Sequence, residues 1–163
     1  MTAWTAFAGV TGGAAAGLTG LTFIVVAIRF DTIAVSEEFR NRAAQTLSLF
    51  VAVTVVAILI TVPQKRWALG IEMLLIAIAS ATLLRFLDAA AMRVQTIRPR
   101  VTLQLGLAVF VGCIGTGGLI VLLGSEWGLY FYAVSAIVGL VSGVNGAWTF
   151  LTRAGVEPKT EVH

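Results

Sequence analysis

The residue best placed to do chemistry is a carboxylate inside an apolar run: Glu72, in WALGIEMLLIAIASATLLRFL. A charge at membrane depth is costly and marks an ion or proton pathway by default. Glu72 follows the start of its run by about five residues, ~7 Å of helix rise. At that shallow depth the structural alternative is favoured, in which Glu72 pairs with Lys65, Arg66 or water. Helical spacing sets Ala68, Ile76, Ala79 and Leu83 on its side, and the small residues there suggest a face buried against another helix. Asn145, in WGLYFYAVSAIVGLVSGVNGAWTFL, is the second costly group and shares a face with Val138, Val141, Ser142 and Thr149. It suits a polar cleft for a solute. An intramembrane Asn more often hydrogen-bonds across a helix interface, for about 1 kcal/mol. Ser142 and Ser80 complete the intramembrane polar candidates, while Thr11, Thr19, Thr22, Thr54, Thr82 and Thr116 can each bond a carbonyl one turn back.

Other chemistries lack their parts. The sole histidine, His163, is the last residue and the sole cysteine is Cys113, so neither a metal site nor a Ser/His/Asp or Cys/His set is expected. A Ser-Lys pair would need a lysine at membrane depth. Gly115-Thr116-Gly117-Gly118 has no following Lys and no preceding strand, so it is not a phosphate loop. Neither catalysis nor a cofactor is expected.

These side chains must be positioned by elements that live in hydrocarbon. Of 163 residues, 58% are hydrophobic and 12% charged, and the mean hydropathy is +0.96. That composition defines an integral membrane protein and leaves no room for a separate soluble domain. The net charge of +3 comes from arginines flanking apolar runs, a pattern for lipid headgroups rather than nucleic acid.

Runs long enough to cross a bilayer are expected at residues 6–28, 43–62, 67–87, 101–123 and 127–151. The fold expected is an all-α bundle of five transmembrane helices forming one domain over residues 1–151, with a disordered tail at 152–163. Ser36, Glu37 and Glu38 read as a helix cap and acidic first turn, so the second helix starts near Glu37 and runs on into the membrane; Glu38 pairs with Arg42 and Arg85 with Asp88 by spacing. Pro63 stops that helix and Pro63-Gln64-Lys65-Arg66 reverses the chain, while Gly124 and Ser125 suit a C-cap and an N-cap.

Arg29, Arg40, Arg42, Arg85, Arg93, Arg98, Arg100, Arg153 and Lys159 fall on one side of these spans, and only Lys65 and Arg66 on the other. The excess of positive charge on the cytoplasmic side places the N-terminus outside and the C-terminus inside. Trp4, Trp67 and Trp127 gather at the outer interface in agreement. Arg40, Arg42, Arg93, Arg98 and Arg100 are candidates for acidic headgroups or a cytoplasmic protein. The first span carries two ladders of small residues, Ala8-Gly12-Ala16-Gly20 and Gly9-Gly13-Gly17, and the fifth has Ser135-Gly139-Gly143-Ala147. Such ladders let helix backbones approach closely.

The stretches FAGVTGGAAAGLTGLTFIVVAIRFDTI, RAAQTLSLFVAVTVVAILITVPQ and ALGIEMLLIAIAS resemble a group of small uncharacterised bacterial multi-pass membrane proteins with a GGAAA-x-LTGL first-helix signature. Some of these are labelled modulator of FtsH protease, a label that normally belongs to a longer family with more spans. The resemblance covers roughly the first half of the chain. It implies a bacterial inner membrane and puts Glu72 within a shared pattern. The expected function is a non-catalytic component that scaffolds or modulates a membrane complex, associating with itself or another membrane protein. The alternative is a small oligomeric channel or transporter using Glu72 and Asn145.

Overall fold

A lipid-facing backbone must satisfy its own hydrogen bonds, so apolar runs of this length fold as helices. The computed structural model describes residues 2–28, 37–92 and 101–153. They form α1 (Thr2–Ile28), α2 (Glu37–Thr61), α3 (Arg66–Met92), α4 (Val101–Leu122) and α5 (Gly128–Arg153). All five are long and apolar enough to span a membrane. Residues 93–100, with Arg93, Arg98 and Arg100, lie outside the described residues, as do Ser36, the 154–163 tail, and the side chains of the Glu38–Arg42 and Arg85–Asp88 pairs at Glu38, Arg42 and Asp88.

Helices α2 to α5 pack in a ring, each against its two neighbours, and α1 lies outside it along α2. The backbones of the diagonal pairs α2/α4 and α3/α5 make no close approach among the described residues. The ring is filled: Phe50, Val53 and Val56 of α2, Met73 of α3, Phe110 and Ile114 of α4, and Tyr132 and Ala136 of α5 are all buried. A single chain therefore has a packed centre.

Helix α2 borders three neighbours and α1 essentially one, and burial follows. Over the apolar window of each span 56% of α2 is buried but only 22% of α1. Gly12 of α1 packs on Ala57 near the end of α2, where an added Cβ would lie 2.7 Å from the Ala57 Cβ, so the two helices run antiparallel.

Two turns at one end of the bundle close its hairpins. Pro63 has no N–H to give the Leu59 carbonyl one turn back. The Gln64 side chain supplies the missing donor: its Nε2 donates to Leu59 O at 3.1 Å. After α4 the chain turns through Gly124 at φ +90°, a conformation that suits glycine. Gly124 N–H donates to Val121 O and Ser125 N–H to Ile120 O, a paired cap on the last α4 carbonyls. Ser125 Oγ then accepts from Trp127 N–H ahead of α5.

Candidate functional site

Glu72 sits at the end of the bundle formed by these turns, half-buried on the second turn of α3. Its Oε2 accepts from Gln64 Nε2 at 2.7 Å, the same nitrogen that serves Leu59 O. The partner within the chain is thus an uncharged amide in the reversing turn, where the sequence pointed to Lys65, Arg66 or water. Arg66 is engaged elsewhere: it donates to Gly124 O and forms an ion pair with Glu126, joining the start of α3 to the α4–α5 turn. Ala79 and Leu83, expected on a buried face with Glu72, are exposed on the outer surface of α3. The Glu72 face is therefore a margin of the bundle, not an interior seam. Beside it, Thr5, Thr61, Gln64, Lys65, Arg66, Leu69 and Leu129 line an open cleft of about 510 Å³.

Asn145 is placed far from Glu72. At ~1.5 Å per residue, Glu72 lies roughly 9 Å along α3 from Arg66 and Asn145 roughly 26 Å along α5 from Gly128, starting from the same end. Their helices are not neighbours. Asn145 is exposed on the outer face of α5, in a shallow depression with Leu140, Val141, Val144 and Trp148, rather than in an interface within the chain. Ser142 is half-buried against Gly106 of α4, and Ser80 is half-buried on α3. The structure therefore does not gather Glu72, Asn145, Ser142 and Ser80 into one site.

The threonines behave as their spacing requires. Thr19, Thr22, Thr54, Thr82 and Thr116 each donate to the carbonyl four residues back, at 2.7 to 2.8 Å. Thr11 does the same to Phe7 O at 3.0 Å and also meets the Tyr132 hydroxyl at 2.7 Å. With its proton directed to the carbonyl, Thr11 Oγ1 accepts from Tyr132, which is 1% exposed. Trp4, Phe7, Tyr130 and Tyr132 meet edge to face around this bond, fastening α1 to α5 at the end that holds the turns.

The glycine ladders divide sharply. Cβ atoms added at Gly139 or Gly143 would collide with the Phe110 and Phe50 rings, so the α5 ladder receives those rings inside the ring of helices. Of the α1 glycines, Gly12 is the one packed within the chain, next to the buried Ala8 of the same ladder. Gly9, Gly13, Gly17 and Gly20 are exposed, and an added Cβ at each meets nothing within 4 Å. Ala16 is exposed with them, whereas Ala8 is buried like Gly12, so the chain's own helices pack the Ala8–Gly12 part of the first ladder and leave Ala16, Gly20 and the whole Gly9-Gly13-Gly17 ladder open. The tightest backbone approaches occur instead where Gly70 meets Leu122, Gly118 meets Gly70 O and Gly117 meets Gly128 O.

Three buried polar residues on α2, Asn41, Gln45 and Thr46, were not singled out in the sequence. Their spacing of four and one puts them on the buried side of the helix that the sequence starts near Glu37. Arg40 beside them is exposed.

This geometry defines a class: an all-helical protein of five helices each long and apolar enough to cross a membrane, four in a packed ring and a fifth on its flank. Among the described residues no three His, Cys, Asp or Glu side chains are grouped to hold a metal. The chain matches no protein-family model, no curated protein and no solved structure.

Proposed function

We propose that the protein is a non-catalytic component of a bacterial cytoplasmic membrane that holds a larger complex together, with α1 as the contact helix. The observation that carries this reading is the open face of α1: Gly9, Gly13 and Gly17 repeat every fourth residue, and a Cβ added at any of them would meet no other part of the chain within 4 Å. A ladder of that spacing permits close approach by another helix, in a solvent where van der Waals packing drives association. The partner is a second copy or another membrane protein. The arginine distribution supports an outside N-terminus and a cytoplasmic C-terminus. A channel reading draws less support, since Glu72 and Asn145 stand at different depths on helices whose backbones do not approach closely among the described residues.

Substitution separates association from folding. Gly13→Ile adds bulk where the chain has space, so it is expected to leave unfolding in mixed micelles unchanged while abolishing crosslinking in membranes and larger species in mild detergent. Gly143→Ile, aimed at the Phe50 ring, is expected to destabilise by about 1–3 kcal/mol, the usual cost of overpacking. Wild-type protein that runs as a lone monomer and crosslinks to nothing would end the proposal. Reporter fusions test the threading: the two termini are expected in opposite compartments.

A further inference from the structure

Helices α1 and α5 meet near Thr11 and Tyr132 and touch only sparsely overall. In the half of the bundle remote from the Pro63 turn a crevice of about 180 Å³ opens between them, floored by α2. Leu18, Leu21 and Val25 of α1, Phe50 of α2, and Val144 and Trp148 of α5 form its apolar walls. At this level the surroundings are hydrocarbon. A helix about 10–12 Å across does not fit so small a space. Drug-sized ligands fill roughly 300–1,000 Å³, so the occupant is one segment of a chain and not a whole molecule.

One polar group breaks the apolar lining without being satisfied. Thr22 also borders the crevice, but its hydroxyl donates to Leu18 O. Thr46 is 7% exposed, lines the crevice against Gly146, and donates to no group among the described residues. It differs in this from the back-bonded threonines of the other turns. A water there would need two to four polar partners, and the crevice offers two hydroxyls, of which only the Thr46 hydroxyl has a proton to give.

Depth identifies the acceptor. Arg40 is exposed at the start of α2, and Thr46 lies about 9 Å further along the helix. The headgroup layer on each side of a bilayer is roughly 5–8 Å thick, the difference between the full and hydrocarbon thicknesses. A phosphate level with Arg40 puts the acyl ester of the same lipid near Thr46, and its alkyl chain in the crevice.

We infer that the crevice between α1, α2 and α5 is a binding site for one acyl chain of a glycerophospholipid, whose ester carbonyl accepts a hydrogen bond from Thr46 and whose phosphate lies at the level of Arg40. The occupant carries an acceptor where the crevice has its donor. An ether-linked chain fills the same space but lacks the carbonyl.

Native mass spectrometry of the full-length protein, after exchange into micelles doped with one probe at a time, tests this. The probes are a diester phosphatidylglycerol, its diether analogue and an isoprenoid phosphate. The expected result is one retained diester per chain, with the diether retained about 5-fold less, the factor that one intramembrane hydrogen bond near 1 kcal/mol supplies. Thr46→Val is expected to erase that preference. Ala147→Leu, which fills the crevice, is expected to remove retention of both. The comparison of diester with diether on the unaltered protein is independent of whether either variant folds. Equal retention of the two, preference for the isoprenoid phosphate, or a lipid-free chain associated through this crevice with a second copy would overturn the assignment.

Discussion

Thr11 and Tyr132 form a bond whose two ends differ in consequence. Thr11 Oγ1 is already satisfied by the Phe7 carbonyl, so removing the tyrosine hydroxyl leaves no orphan. Tyr132→Phe is expected to cost about 0.6 kcal/mol, the average for side-chain hydrogen bonds inside membranes. Thr11→Val strands a buried phenolic hydroxyl, and the expected loss rises to about 1–3 kcal/mol. Equilibrium unfolding in mixed micelles reads both, and equal losses would contradict the direction assigned to the bond. Glu72 carries a similar lesson in local wiring: its partner is an amide that reaches it because the chain reverses at Pro63. Charge-based spacing pointed to Lys65 and Arg66, whereas the path of the turn selects Gln64.

The α2–α3 hairpin joins these contacts into one element-scale device. Gln64 donates both to Leu59 O, the carbonyl deprived by Pro63, and to Glu72 on α3. Gln64→Leu is expected to destabilise the hairpin by about 1–3 kcal/mol, since a carbonyl and a carboxylate each lose a donor. In a Pro63→Ala background the main-chain N–H restores the bond to Leu59, so the loss should shrink, with a coupling energy of about 0.5–3 kcal/mol measured by a double-mutant cycle. Additive losses would show that Gln64 does not stand in for the missing N–H.

The helices themselves were legible because hydrocarbon imposes their length. A helix occupies each of the runs expected at 6–28, 43–62, 67–87, 101–123 and 127–151, with ends displaced by up to six residues where α2 begins at Glu37 and α3 runs on to Met92. Which face of each helix turns inward was much less legible. In lipid, both packed and exposed faces are apolar, so spacing reveals a ladder without revealing what lies against it. The Gly9-Gly13-Gly17 and Gly139-Gly143 ladders have the same spacing; the first is open and the second receives aromatic rings. Asn145, too, stands on the outer face of α5, where its neighbours in sequence point to a helix interface without saying whether the second helix belongs to this chain.

At the scale of the molecule, a filled ring of four spans carries a flank helix held by α2 and by a small aromatic fastening to α5. The ring supplies rigidity, and α1 supplies exposed surface. Both proposals depend on that division: the glycine face of α1 is available to another helix, and the separation of α1 from α5 leaves the crevice for a lipid chain. They occupy different faces of α1, so Gly13→Ile and Ala147→Leu should act independently.

The Thr11–Tyr132 bond also orders events in time, because its partners are 121 positions apart. At a synthesis rate of about 5–20 residues per second, α1 waits roughly 6–24 s in the bilayer before its tyrosine is made. The first span is therefore latched by the last, and a nascent chain ending at Gly124 has the α2 contact without the latch. Such truncated chains are expected to be clipped by membrane proteases far faster than the full-length protein in pulse-chase labelling. Stop codons late in the reading frame would thus remove the protein rather than leave a shortened, persistent form.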